Sequence, residues 1–138
     1  MFESSRARVL VVEDEMSFQE LYEDLLSSLY DISIVGSKEE AIARLRQQSF
    51  DVALIDMRLQ GGKIRDTDGL DVADFIRDMN FSTAIILNSG FPTQTPEIEE
   101  RMKRLHVTAV LDKSLESPSQ QFLDAVARGV AQYVRGEQ

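Results

Sequence analysis

Short apolar runs alternate along the chain with segments whose apolar residues recur at helical spacing. The runs are Val9–Val12, Ile32–Val35, Val52–Ile55, Ala84–Leu87 and Val107–Leu111. The first, third and fourth are unbroken by polar residues, as expected of strands buried on both faces. The segments between them read as helices. The first carries Phe18, Leu21, Tyr22, Leu25, Leu26 and Leu29 on one face. The second follows Gly36-Ser37 and carries Ala41, Ile42 and Leu45, with Ser37 and Glu40 at the spacing of a capping box. The third carries Leu70, Ala73 and Ile76, with Phe75 on its flank. The fourth is expected from about Pro96 to Leu105, with Pro96 at its first position. Acidic Glu97, Glu99 and Glu100 lie near its start and basic Arg101, Lys103 and Arg104 near its end, matching the helix dipole. Its charged face is expected to be solvated, with His106 an exposed or capping residue. The fifth follows Pro118 and turns Phe122, Val126, Val130 and Tyr133 inward, with Ala125 and Gly129 on the same side.

Strand and helix therefore alternate five times. That order predicts an α/β fold with a parallel sheet covered on both faces and right-handed crossovers. A single domain is expected to span residues 1–138, with no repeat, linker or second domain.

Composition adds a few exclusions. Hydrophobic residues make up 43% and charged residues 28% of 138, an ordinary globular balance. No apolar run approaches the roughly 20 residues of a membrane span, so membrane insertion is not expected. There is no cysteine, which rules out disulfides and thiolate metal sites. With no signal-like N-terminus, the cytoplasm is the expected compartment. The net charge of −9 opposes direct binding to nucleic acid.

Candidate chemistry gathers where the runs end. In an open parallel sheet, ligands bind beyond the carboxyl ends of the strands. Glu13, Asp14 and Glu15 follow the first run, and Asp56 follows the third. Asn88, Ser89 and Gly90 follow the fourth; Asp112, Lys113 and Ser114 follow the fifth. Two carboxylates about 4 Å apart repel by roughly 4 kcal/mol at an effective dielectric near 20. Such a pair persists if one is protonated or if a cation binds. With oxygen donors and no His or Cys beside them, the cation should be hard, Mg²⁺ first. An aspartate can act as a nucleophile toward phosphorus, a transfer that needs mainly in-line positioning and charge neutralisation. A metal, the Lys113 amine and the Ser89 hydroxyl would then clamp the phosphoryl oxygens. The plainer readings are a strand-end carboxylate at Asp56, a helix N-terminal charge pair at Glu13-Asp14, a loop or cap residue at Ser89 and a surface amine at Lys113.

Taken in order, Glu13-Asp14, Asp56, Ser89 and Lys113 resemble the motif of the receiver domain of two-component response regulators, from Arg8 to about Arg135. The resemblance implies a flavodoxin-like, CheY-like (βα)5 fold with strand order 2-1-3-4-5. It implies phosphorelay signalling, with Asp56 as phosphoacceptor served by Ser89 and Lys113. It implies Mg²⁺ held by the Asp14 and Asp56 side chains and the Arg58 backbone carbonyl, with Glu13 acting through water. The implied partners are a sensor histidine kinase or phosphotransfer protein, and an effector or second copy on the face of helix four, strand five and helix five. No turnover of external substrates is implied.

Three departures qualify this. Ser114 follows Lys113 where the family commonly carries a cis proline, so a trans bond is expected there. The segment Met57–Gly69 lacks the family's proline, and its glycine falls late at Gly69, which reads as an insertion in a mobile loop. Val110 stands where the family carries an aromatic switch residue. The rival readings are a phosphorylation-independent interaction module on the same fold and a haloacid-dehalogenase-like phosphatase. The phosphatase pattern wants a carboxylate where Arg58 stands. A glycine-rich dinucleotide turn and a P-loop are both missing.

Overall fold

The structure is a computed structural model and describes residues 6–57, 68–89, 96–112 and 118–134. Five parallel strands, β1 (Arg8–Val12), β2 (Asp31–Val35), β3 (Val52–Asp56), β4 (Ala84–Ser89) and β5 (Ala109–Asp112), form one sheet of order β2-β1-β3-β4-β5. Between and after them run α1 (Met16–Leu26), α2 (Lys38–Gln47), α3 (Asp68–Asp78), α4 (Pro96–Leu105) and α5 (Pro118–Val134). This is the flavodoxin-like arrangement expected from the sequence.

Strand side chains alternate between faces, and the sheet uses both. Leu10, Val12, Ala53, Ile55, Ile85 and Leu87 pack with Ala41, Leu45, Leu70, Ala73, Ile76 and Leu105, on the side of α2, α3 and α4. Val9, Val11, Val52, Leu54, Ala84 and Ile86 pack with Tyr22, Leu26, Phe122, Ala125 and Val126, on the side of α1 and α5. The central strands are apolar throughout because neither face meets water. At the sheet edge β2 is only half buried, and on β5 Val110 is 44% exposed.

Local signals account for the helix ends. The Ser37 hydroxyl accepts from Glu40 N–H at 3.1 Å, while Glu40 Oε1 reaches past the cap to accept from Gly36 N–H at 2.9 Å. The chain leaves α4 through His106, an exposed non-glycine residue at φ 52°. Arg77 closes that end, with its Nε donating to the Leu105 carbonyl at 2.7 Å and Nη1 to the Thr83 carbonyl at 3.0 Å.

Three expectations need correction. The α1 periodicity runs on to Leu29, but the helix ends at Leu26 and Leu29 is 53% exposed. There the chain must turn into β2, and Leu29 N–H and Tyr30 N–H both donate back to the Leu26 carbonyl. The fifth strand begins at Ala109, not Val107. Nor is the charged face of α4 merely solvated. Arg101 donates to Asp71 at 3.0 Å and also to Asp74, while Lys38 lies 3.4 Å from Asp71 and 3.8 Å from Asp68. These part-exposed pairs lace α2, α3 and α4 together.

The start of α3 packs hard against the end of β3. A Cβ on Gly69 would lie 2.0 Å from the Asp56 carbonyl oxygen and 2.7 Å from Met57 Cα. Gly69 N–H meets the Met57 carbonyl at 3.3 Å. The late glycine is thus required by a close backbone approach.

Two substitutions test this account by chemical denaturation. Ser37→Ala should cost about 1 kcal/mol, the usual worth of an N-cap. Gly69→Ala should cost about 2 kcal/mol by overpacking, although alanine is intrinsically the better helix former by about 1 kcal/mol. A neutral Gly69→Ala would contradict the close approach.

Candidate functional site

The alternation that builds the two cores also aims the polar residues at the strand ends. Residues 9 and 11 of β1, 52 and 54 of β3, and 84 and 86 of β4 face α1 and α5. The next positions in step are Glu13, Asp56 and Asn88. Asp56 and Asn88 are register partners. Glu13 lies just past β1, yet its N–H still donates to the Val35 carbonyl at 2.9 Å, so the strand geometry carries on to it. Where three apolar side chains would continue the core, the chain sets two acids and an amide.

Glu13 is fully buried and Asp56 is 6% exposed, while Asp14 is exposed. Asp56 is thus more deeply enclosed than a carboxylate half out of the core. Glu13, Asp14 and Asp56 each bring a carboxylate oxygen to within 4.8 Å of the others. At that range, each charged pair repels by roughly 3 to 4 kcal/mol at an effective dielectric near 20. The N-terminus of α1 offsets part of this with its positive end, and Glu13 Oε2 accepts from Glu15 N–H at 3.1 Å. Gln19 Nε2 donates to the Glu13 carbonyl at 2.6 Å and fixes the turn between β1 and α1.

The donor set suits a hard divalent cation. Three carboxylates converge, two buried and one open to solvent, and among the described residues no His or Cys joins the cluster.

The remaining predicted residues are only partly described. Ser89 is the last residue of β4, beside Asp112 of β5 in the register; its side chain lies outside the described part. Arg58, Lys113 and Ser114 lie outside the described residues, as does most of the segment 57–69.

The sequence reading missed two members of the site. Tyr22 stood there only as an apolar residue of α1, and Asn88 only as one of the polar residues that follow the fourth run, with no role given. Asn88 is in fact inside β4 and fully buried, with its Nδ2 donating to the Tyr22 hydroxyl. Burial first, then the charges of Glu13 and Asp56, push the Tyr22 phenol well above its usual range; the Asn88 hydrogen bond acts in the opposite sense. The phenol is therefore neutral at any physiological pH. An amide at the end of an apolar run was the available signal, since a buried amide must find a partner.

Comparison with known proteins agrees with this architecture. The receiver domain of an HD domain-containing protein from Pseudomonas fluorescens Pf-5 superposes with a TM-score of 0.80 at 20% identity, over 100% of this chain and 97% of that one. A CheY-like response regulator receiver domain protein from Methanospirillum hungatei JF-1 also gives 0.80, at 17% identity over 95% and 98%. A curated relative, protein-glutamate methylesterase/protein-glutamine glutaminase 2 of Burkholderia thailandensis, is 31% identical over 134 residues. Those residues are 94% of this chain but 35% of that protein, so the chain spans about a third of its length. The family model described as the response regulator receiver domain matches residues 9–127. With that match over most of its length, the chain belongs to the response regulator receiver domain family.

Proposed function

We propose that this domain takes a phosphoryl group onto Asp56 in a Mg²⁺-dependent reaction in the cytoplasm, and so switches a protein-binding surface. The carrying observation is the buried Glu13–Asp56 pair, with Asp14 at its open side, where the strands of a receiver domain end. A carboxylate oxygen of Asp56 bonds to phosphorus as the bond from phosphorus to its donor breaks. The donor is a phosphohistidine of a sensor kinase or phosphotransfer protein, or a small acyl phosphate. The leaving imidazole or acylate keeps the bonding electrons.

Asp14, Asp56 and the Arg58 backbone carbonyl would hold Mg²⁺, with Glu13 acting through water. When bound, the ion neutralises charge on the phosphoryl oxygens. Lys113 supplies a second positive charge to the phosphoryl group and Ser89 a hydroxyl donor. Water later cleaves the acyl phosphate, so the domain gains and loses its own phosphoryl group and turns over no external substrate.

The switched surface is that of α4, β5 and α5, which would receive an effector or a second copy of the chain. A groove of about 560 Å³ opens there, lined by Glu99, Met102, Lys103, His106, Val107 and Val110. Occupancy of Asp56 biases an equilibrium between two arrangements of this region. A second reading, an interaction module that needs no phosphorylation, draws on the exposure of Val110 at the position of the family's aromatic.

The two readings part on intact-mass measurement after incubation with Mg²⁺ and an acyl phosphate. The first expects one added phosphoryl group in the wild type and none in Asp56→Asn. No gain in the wild type, and no Mg²⁺-dependent binding of a beryllofluoride phosphate mimic, would establish the second. In the chelated, metal-free protein, Asp56→Asn should raise the thermal midpoint by a few degrees, about 1 kcal/mol, because it removes one of the repelling charges. An unchanged or lower midpoint would mean that the carboxylates do not repel as argued.

A further inference from the structure

Among the described residues, α4 buries fewer side chains than any other helix. Leu105 is buried, and Ile98 and Met102 are half-buried. Polar ties supply the rest of its hold, and they reach one element, α3. At the C-terminal end, Arg77 Nε donates to the Leu105 carbonyl at 2.7 Å and Arg77 Nη2 to the His106 carbonyl at 3.5 Å. One turn earlier, Arg101 Nη2 donates to Asp71 Oδ1 at 3.0 Å and also to Asp74. The groove beside Val110 is walled by Glu99, Met102 and Lys103 of α4, so it moves with this helix.

The arginine closes a chain of alternating charge. Lys38 of α2 lies 3.8 Å from Asp68 and 3.4 Å from Asp71, and Arg101 takes Asp71 and Asp74. Asp71 and Asp74 stand one turn apart on α3 and would repel without the guanidinium between them. Charge-assisted bonds of this kind are directional as well as attractive. The same first two turns of α3 touch the acceptor. Gly69 packs so closely that an added Cβ would lie 2.0 Å from the Asp56 carbonyl oxygen, and Gly69 N–H meets the Met57 carbonyl at 3.3 Å. Backbone meets backbone there, with no flexible side chain to absorb a shift.

We infer that α3 couples Asp56 to the groove and that Arg101 is the residue that makes α4 follow it. A shift at the Asp56 backbone displaces the start of α3, and the Asp71–Arg101–Asp74 clasp passes that displacement to α4. The inference rests on Asp56 being the phosphoacceptor, and it adds the path by which occupancy reaches the binding surface.

The test is amide hydrogen exchange of α4, read by mass spectrometry on the full chain, with and without Mg²⁺ and beryllofluoride. Arg101→Gln is compared with the wild type and with Arg104→Gln, which removes the same charge from an exposed position on the same helix. Arg101→Gln should raise basal exchange of α4 by about threefold, the worth of a part-exposed ion pair. Binding of the phosphate mimic should change α4 exchange by about fivefold in the wild type and in Arg104→Gln. In Arg101→Gln the mimic still binds, but α4 should respond by less than about twofold. A wild-type α4 that ignores the bound mimic, or an Arg101→Gln variant that responds as the wild type does, would overturn the inference. The second result would route the signal through the residues that join β4 to α4. A further arm needs no phosphoryl chemistry. Gly69→Ala pushes α3 off the Asp56 carbonyl, and should change α4 exchange by at least about twofold with Arg101 present and not beside Gln at 101. If the mimic does not bind the wild type, the phosphoacceptor reading fails and this arm alone decides the coupling. An equal change in both backgrounds, or none in either, would overturn it. Should Gly69→Ala fail to fold, Asp56→Asn takes its place as the perturbation of the strand end.

Discussion

Mutual repulsion among Glu13, Asp14 and Asp56 is the constraint on which the rest of the site depends. Three carboxylates within 4.8 Å, two of them buried, make a costly arrangement in a metal-free protein. The fold tolerates it because the cost is spread over several elements. The α1 N-terminus offers positive charge, and Glu15 N–H is donated to Glu13. On the proposed reading, a bound cation would relieve what remains, and the carboxyl ends of the central strands would become sensitive to its occupancy.

The sheet makes this possible by continuing its own pattern. Val9 and Val11, Val52 and Leu54, and Ala84 and Ile86 fill the core beneath α1 and α5. The same alternation, one step further, delivers Glu13, Asp56 and Asn88 to a common row. Gly69 brings the start of α3 against the Asp56 backbone, with no Cβ to hold it off. Further out, Arg101 with Asp71 and Asp74, and Lys38 with Asp68 and Asp71, tie α2, α3 and α4 to each other on the opposite side of the sheet. The groove beside Val110 lies next to this laced group, so a shift of α4 would alter both.

Much of the fold could be read from the chain because its signals are local. Pro96 and the charge gradient after it mark α4, and Ser37 with Glu40 marks the start of α2. The bare apolar runs mark the central strands. Leu29 was misplaced because helical periodicity outlasts the helix where the chain must turn into β2. Val110 belongs to an apolar run, yet it is 44% exposed because β5 lies at the sheet edge, where the expected strand order 2-1-3-4-5 already put it. At the site, Glu13, Asp14 and Asp56 were legible from their places after apolar runs. Tyr22 and Asn88 were not legible as a pair: a Tyr on a helix face counts as apolar, and its partner lies 66 residues away.

The central claim is that Asp56 is the atom-level acceptor. Hydride reduction of an aspartyl phosphate converts that residue to homoserine, and the tryptic peptide Gln47–Arg58 carries both Asp51 and Asp56. After incubation with an acyl phosphate, reduction and digestion, fragment sequencing of this peptide should place homoserine at position 56 when Mg²⁺ is present and nowhere when it is chelated. Homoserine at position 51, or an unmodified peptide in the presence of Mg²⁺, would contradict the account.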